Sequence, residues 1–328
     1  MLVSVIIPVF NSERFLLQCL QSVKACPSRD IECIIVNDGS TDDTAEICEE
    51  FIREDKRFYL IHKDNSGVSE SRNIGLAKAV GEYVFFLDSD DYVSADRWLD
   101  ILAHAKQGAY DMIAYGYYNL FTSGAIKEER FPDSCNIDLA LLSTTLLNTC
   151  WGKLLRRDVI GKHGLGFQKG LKTCEDAVFV LDFTQKANNC MLSDIAVMYY
   201  RIHPGGAMQN TGLQHRISDF EVLYERRKGY LSENYSEANR EAFDRQSFYV
   251  VTDLFRTAAR NGSIPEIRDT LRECMTNPAI TAIMDSAKTV RLSRGYKKLE
   301  YMMMRKRLFM FLAVYFKLKA RVTEVGVN

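Results

Sequence analysis

The chain has 328 residues, with 42 Lys+Arg against 43 Asp+Glu and nine cysteines. That length buries a sizeable core without covalent staples and predicts one large domain with an appendage, or two domains. A composition 47% hydrophobic and 26% charged excludes long disorder, and a net charge of -1 gives no global reason to expect nucleic acid as a partner.

The first hundred residues alternate between two patterns. Leu2–Val9 is a β-branched apolar run and reads as a buried strand. A helical pattern follows to Lys24, with Phe15, Leu16, Cys19, Leu20 and Val23 on one face and Asn11 or Ser12 at its N-cap. Ile31–Asn37 reads as a second strand, with a helix over 41–54; Arg57–His62 reads as a third, with a helix to about Ala79. Glu82–Leu87 is a fourth strand, and a helix covers 95–106. Strands alternating with helices of this length mean βαβ units and a mostly parallel sheet with helices on both faces. From 108 to 207 strands are expected at 111–121 and 191–202, and helices at 138–148 and 175–186. From about Gln209 the pattern is helical, broken at Asn261-Gly-Ser-Ile-Pro and Asn277-Pro.

The cysteine number is odd and no C-x-x-C pair occurs, so neither a disulfide framework nor a zinc knuckle is expected. Free thiols in a reducing cytosol fit better. No basic segment precedes the apolar residues 2–9, and no stretch approaches the roughly 20 apolar residues of a spanning helix.

In open α/β sheets ligands bind beyond the carboxyl ends of the strands. Three polar clusters fall there: Phe10-Asn11, Asp38-Gly39-Ser40 and Asp88-Ser89-Asp90-Asp91. In an extended segment Asp88 and Asp90 point to one side and converge on a hard divalent cation, Mg²⁺ or Mn²⁺. The same residues also suit an acidic helix cap. Asp38-Gly39 reads either as a turn and cap or as an acceptor of hydrogen bonds from a nucleobase. Arg72, in the second turn of a helix opened by Gly67, reads as a diphosphate neighbour or as half of a salt bridge.

Four segments together carry a resemblance. Pro8-Val-Phe-Asn11-Ser-Glu13-Arg-Phe-Leu16, Val36-Asn-Asp38-Gly-Ser-Thr-Asp42, Asn65-Ser-Gly-Val-Ser-Glu-Ser-Arg72-Asn73-Ile-Gly75 and Phe86-Leu-Asp88-Ser-Asp90-Asp91 stand in order over about 90 residues. The chain resembles the family 2 glycosyltransferases of GT-A fold, especially bacterial enzymes of surface-polysaccharide synthesis. Trp151-Gly-Lys153-Leu154, Cys174-Glu175-Asp176-Ala-Val-Phe179 and Tyr199-Tyr-Arg201-Ile-His203-Pro look like later landmarks of that family. The resemblance implies a Rossmann-like GT-A catalytic domain over residues 1–208, its nucleotide-binding half 1–107 and its acceptor half 108–208; residues 209–328, which carry none of its motifs, read as a helical extension.

It also implies roles. Pro8, Val9, Phe10, Glu13 and Asp38 would hold the uridine of a UDP-sugar. Arg72 would lie near ribose or diphosphate, Asp88 with Ser89 would face ribose and sugar, and Lys153 would touch phosphate. Asp90, with Asp88 and His203, would ligate Mn²⁺ or Mg²⁺. Asp176 would be the catalytic base, with Glu175 beside it. His203 also reads as a structural histidine. Trp151 reads as core, or as a platform on which an acceptor sugar stacks.

From Lys288 onward eleven basic residues meet two acids, a net +9 that leaves -10 for residues 1–287. Within this segment lie nine apolar residues, Leu308–Phe316, flanked by Arg305-Lys-Arg and Lys317. As helix the run is about 13 Å long, too short to span. It suits a peripheral position on a membrane's cytoplasmic face, or a dock against the catalytic domain or a second copy. The expected function is inverting, metal-dependent transfer of a sugar from a nucleotide donor to a glycan, lipid-linked in this reading. The alternatives are a nucleotidyltransferase of related fold, or an inactive glycan-binding scaffold. A Rossmann oxidoreductase is excluded because Pro8-Val-Phe-Asn stands where G-x-G-x-x-G is needed.

Overall fold

A computed structural model describes residues 1–143, 145–203, 212–286 and 295–325. The chain divides into two compact units, one of residues 1–140 and 145–206, the other of 141–144 and 207–328.

The first unit is built on one nine-stranded sheet. The strands β1 (Val3–Val9), β2 (Ile31–Asn37), β3 (Phe58–His62) and β4 (Tyr83–Phe86) are mutually parallel in the order β3-β2-β1-β4. Helices α1 (Glu13–Lys24), α2 (Thr44–Glu54) and α3 (Val68–Lys78) make the crossovers. Every residue of β1 and β2 is buried, as strands covered on both faces must be. Pro8 is tolerated in this central strand for a local reason. Ile6 accepts from Leu87 N on the β4 side, and Pro8, two residues on, faces the same side. The β1–β4 ladder ends at Ile6↔Phe86, so the missing N–H of Pro8 breaks no pair.

Gly75 shows why α3 lies so close to β1. A Cβ there would stand 2.4 Å from Ile6 Cγ2, well inside contact distance.

The sheet's other half mixes directions. Beyond β4 the order continues through β8 (Lys153–Arg156), β6 (Met112–Phe121), β9 (Cys190–Ile202) and β5 (Tyr92–Val93), with β7 (Ile126–Glu129) paired on β6. β8 runs antiparallel to both β4 and β6, while β6 and β9 are parallel. The sheet is thus mostly parallel along its long strands, as expected, and its antiparallel pairs all involve the short strands β5, β7 and β8. The short strands β5, β7 and β8 were not expected, because two to four residues give no periodicity to read. The α4 helix (Trp98–Gln107), α6 (Arg157–His163) and α7 (Glu175–Thr184) complete the unit, and α5 (Ile137–Ser143) is shorter than the expected 138–148. All nine cysteines are free thiols.

The described part of the second unit is helical: α8 (Leu213–Glu233), α9 (Glu237–Asn261), α10 (Ile264–Cys274), α11 (Pro278–Ser286), α12 (Gly295–Arg305) and α13 (Phe309–Val325). The break at Asn261-Gly-Ser-Ile-Pro is a capping box: Ser263 accepts from Glu266 N, and Glu266 accepts from Ser263 N. The expected helix start at Gln209 and the basic residues Lys288, Arg291 and Arg294 lie outside the described residues. No described helix is long and apolar enough to cross a membrane.

Candidate active site

Parallel strands end on one edge, so the carboxyl ends of β1, β2 and β4 place Phe10, Asp38 and Asp88 on one rim. The loops after β1 and β2 are laced together. Asn11 N donates to Ser40 Oγ at 3.0 Å, Thr41 N to Asn11 Oδ1 at 2.9 Å, and Ser12 N to Thr44 Oγ1 at 2.7 Å. Glu13 accepts from Asp43 N at 3.1 Å, capping α2. Asn11 adopts a left-handed φ of 47°, which turns the chain from strand into helix. Phe10 is left 47% exposed, whereas Pro8 and Val9 are buried inside the sheet. Of the expected Pro8–Phe10 contact surface, only the Phe10 side chain faces outward.

Asp38 is 4% exposed and already occupied. Its carboxylate pairs with Lys63 and accepts from Ser66 N at 2.8 Å and Gly67 N at 2.9 Å. It thereby folds the loop that launches α3. A carboxylate offers about four acceptor positions, so little capacity remains for a nucleobase.

The Asp88–Asp91 segment is not extended, as expected, but a turn closed by Asp91 N donating to Asp88 O at 3.0 Å. The turn, rather than strand alternation, gathers the carboxylates. It also brings in Asp91, to which the sequence reading gave no role. Carboxylate oxygens of Asp88, Asp90 and Asp91 lie within 4.8 Å of one another. His203 Nε2 stands 3.0 Å from Asp90 Oδ2 because β9 pairs with β5 directly after the turn. Arg201, on the same strand, donates its backbone N–H to Asp91 Oδ1 at 2.8 Å and its guanidinium to the Asp90 carbonyl. Asp91 Oδ2 is buried and finds no partner among the described residues. Burial and the neighbouring Asp90 and Asp88 raise the Asp91 carboxyl well above the usual range. Hard oxygens in surplus, one of them orphaned, beside an imidazole fit a Mg²⁺ or Mn²⁺ ion. Ser89 faces the β1 loop, with its hydroxyl 2.6 Å from that of Ser12.

Arg72 joins this turn to α7. It is 3% exposed. Its Nη2 donates to Asp88 Oδ1 at 2.9 Å, and its Nη1 to Asp176 Oδ1 at 2.6 Å and Glu175 Oε1 at 3.0 Å. The guanidinium carbon sits 5.2 Å from the Phe167 ring centroid, and Phe167 stacks on Phe179 of α7. Cys174, at the N-cap of α7, has a left-handed φ of 64° that swings Glu175 and Asp176 into the first turn. Asp176 Oδ2 accepts from Cys150 N at 3.1 Å. Burial lifts Glu175 to about 7, the Asp176 charge adding and Arg72 opposing. Asp88 is raised by enclosure, which Arg72 opposes and Asp176 and Asp90 reinforce.

Two expectations are revised. Lys153 is 1% exposed, and its ammonium donates to Leu146 O, Thr149 Oγ1 and Trp151 O at 2.9, 3.2 and 3.3 Å. Burial lowers it to about 8. It braces the loop that carries Cys150, whose N–H Asp176 accepts, and its ammonium is spent on three acceptors there. Trp151 is 5% exposed, stacked 5.1 Å from Tyr200 and edge-on to Tyr117 at 4.9 Å, so it is core and not an open sugar platform.

Residues 4–164 match the family model "Glycosyl transferase family 2". The chain is 31% identical over 242 residues to the putative glycosyltransferase EpsH of Bacillus subtilis, covering 71% of this chain and 70% of that protein. It is 30% identical over 215 residues to the uncharacterized glycosyltransferase EpsJ of the same organism, covering 62% of each, somewhat less than two thirds of EpsJ. Its fold is similar to that of S. aureus TarS 1–349 in complex with UDP-GlcNAc, with a TM-score of 0.69 and 21% identity over 98% of this chain and 92% of that one. That likeness gives the architecture as GT-A with a helical extension. The rim with its aspartate turn, the four segments in register and the EpsH match lead to one assignment: the chain belongs to glycosyl transferase family 2.

Proposed function

We propose that this chain is an inverting, metal-dependent glycosyltransferase that moves a sugar from a UDP-sugar to a growing surface glycan carried on a lipid. The observation that carries the reading is the link Asp88–Arg72–Asp176. It holds the aspartate turn and a carboxylate from a distant segment on either side of one guanidinium. The UDP preference draws on the likeness to TarS 1–349, solved with UDP-GlcNAc.

The chemistry needs these parts. When the nucleoside diphosphate leaves the anomeric carbon, negative charge grows on the leaving oxygen. A divalent ion held by Asp88, Asp90, Asp91 and His203 would supply the countercharge. The acceptor hydroxyl is a weak acid, so Asp176 takes its proton as attack proceeds. Arg72 and Cys150 N fix the Asp176 carboxylate so that a lone pair stays aimed at the acceptor. Glu175, raised by burial, adds no second fixed charge beside it at lower pH. Phe10 offers the exposed face against which the uracil ring packs. One base and one attack from the side opposite the diphosphate give inversion.

The test is product analysis with a panel of nucleotide-sugars, Mn²⁺ and a glycan acceptor. Release of UDP together with a glycosylated acceptor supports the reading. Pyrophosphate release would place the chain among nucleotidyltransferases, and no turnover with any donor would leave it a binding protein.

A further inference from the structure

The second unit presents an apolar surface that its own core does not use. Helix α13 buries Phe309, Leu312, Ala313 and Phe316, each at most 8% exposed, at the spacing of a core-facing stripe. Its other side is apolar too. Phe311 is 67% exposed, Val314 38% and Leu318 58%. Helix α12 repeats the arrangement, with Met304 buried and Leu299 and Met302 exposed. Among the described residues, eight of the seventeen exposed large hydrophobic side chains fall between 296 and 318. A clustering of that kind marks an interaction surface.

The charges on this stretch have one sign. Lys298, Arg305, Lys306 and Arg307 are exposed, and none forms an ion pair among the described residues. The acid between 296 and 319, Glu300, is 0% exposed. It is enclosed by Arg256, Lys297 and Lys319 at 3.4, 3.2 and 3.0 Å. That enclosure has a second effect. Glu300 and Lys297 stand on α12 and Lys319 on α13, so the pairs fix the rotation of α13 and keep Phe311 outward.

We propose that this face docks on an anionic lipid bilayer, with Phe311, Val314 and Leu318 entering the headgroup–acyl boundary and Lys298, Arg305, Lys306 and Arg307 set against lipid phosphates. An exposed apolar stripe next in the chain to exposed cations that form no ion pair among the described residues is what such a surface attracts. A second copy fits worse, because a two-fold interface on this face would gather the four cations of both copies with no exposed acid of the 296–319 stretch to face them. The inference says where the proposed transferase works and rests on that reading for its purpose. Lipid binding is measured without donor or acceptor, so each can fail alone.

The test is cosedimentation of the full chain with vesicles of phosphatidylcholine alone or with one third phosphatidylglycerol, at about 0.1 M and about 0.5 M salt. Binding should be at least tenfold tighter to the anionic vesicles and should weaken at high salt. Phe311→Ser with Leu318→Ser should reduce it at least tenfold, and Lys306→Glu with Arg307→Glu by more than that, at about fivefold per lost cation and further for each reversed charge. The charge variant leaves the apolar side chains in place, so the test survives if the first pair unfolds. Equal binding to both vesicle types would overturn the proposal. So would wild-type binding by a folded charge variant, or a dimer in sedimentation velocity that Phe311→Ser disperses, which would assign the face to a second copy.

Discussion

The guanidinium of Arg72 lies 2.6 Å from the carboxylate of Asp176, although 104 residues separate them in the chain. The same group reaches Asp88 and Glu175 at 2.9 and 3.0 Å. One enclosed cation thus keeps three acids from repelling one another. It also couples the rim of the parallel half-sheet to α7.

Removing that cation should be costly. Breaking a buried ionic group by deleting one partner costs about 3–5 kcal/mol, and Arg72→Ala should lose that much in urea unfolding. Arg72→Lys should recover only part of it, because an ammonium lacks the fork that serves three carboxylates. Wild-type stability in Arg72→Ala would mean that the carboxylates do not depend on Arg72.

Glu175 predicts a pH effect of defined sign. Its folded-state pKa, about 7, lies above the ordinary 4.5. Its contribution to stability is therefore full below about pH 4.5 and is lost as pH rises through about 7. Glu175→Gln copies the protonated side chain. The variant should gain on the wild type between those values in chemical denaturation, and a pH-independent difference would contradict the assignment.

Asp176→Asn keeps the shape of the side chain but cannot take a proton. It should lower kcat about 10²–10⁴-fold while donor binding stays within about twofold of wild type. Single-turnover kinetics with calorimetry of UDP binding checks both. A large loss of donor affinity with normal kcat would make Asp176 a donor contact.

Gly75→Ala tests the packing under the site. The added methyl group meets the Ile6 side chain in the middle of β1, and overpacking of this kind costs about 1–3 kcal/mol. Thermal unfolding should show the loss, and an unchanged midpoint would mean that α3 stands off from the sheet.

Much of this was legible in the sequence because its causes are local. The run Leu2–Val9 and the amphipathic stripe through Leu16, Cys19, Leu20 and Val23 each carry their own periodicity. Asp88 and Asp90 could be picked out because carboxylates directly after an apolar strand are conspicuous, and Asp176 because Cys174-Glu175-Asp176 resembles a landmark of the family. What escaped depended on partners far along the chain. Asp91 has no role in an extended segment, and only the turn gathers it with Asp88 and Asp90. Arg201 looked like a strand residue, yet β9 lays it along Asp90 and Asp91. The resemblance sets Lys153 against phosphate, and only folding shows its ammonium spent on three acceptors. Exposure of Phe311 beside buried Leu312 is likewise invisible in a run that is apolar throughout.

The central claim is that the Asp88–Asp91 turn holds a divalent ion against the donor's diphosphate. Calorimetric titration of UDP into the full chain, with Mn²⁺ and again with EDTA, tests it most directly. The account predicts binding at least tenfold tighter with Mn²⁺, and loss of that difference in Asp90→Ala while UDP binding in EDTA is unchanged. Equal affinity in Mn²⁺ and EDTA, or a Mn²⁺ effect that survives in Asp90→Ala, would contradict it.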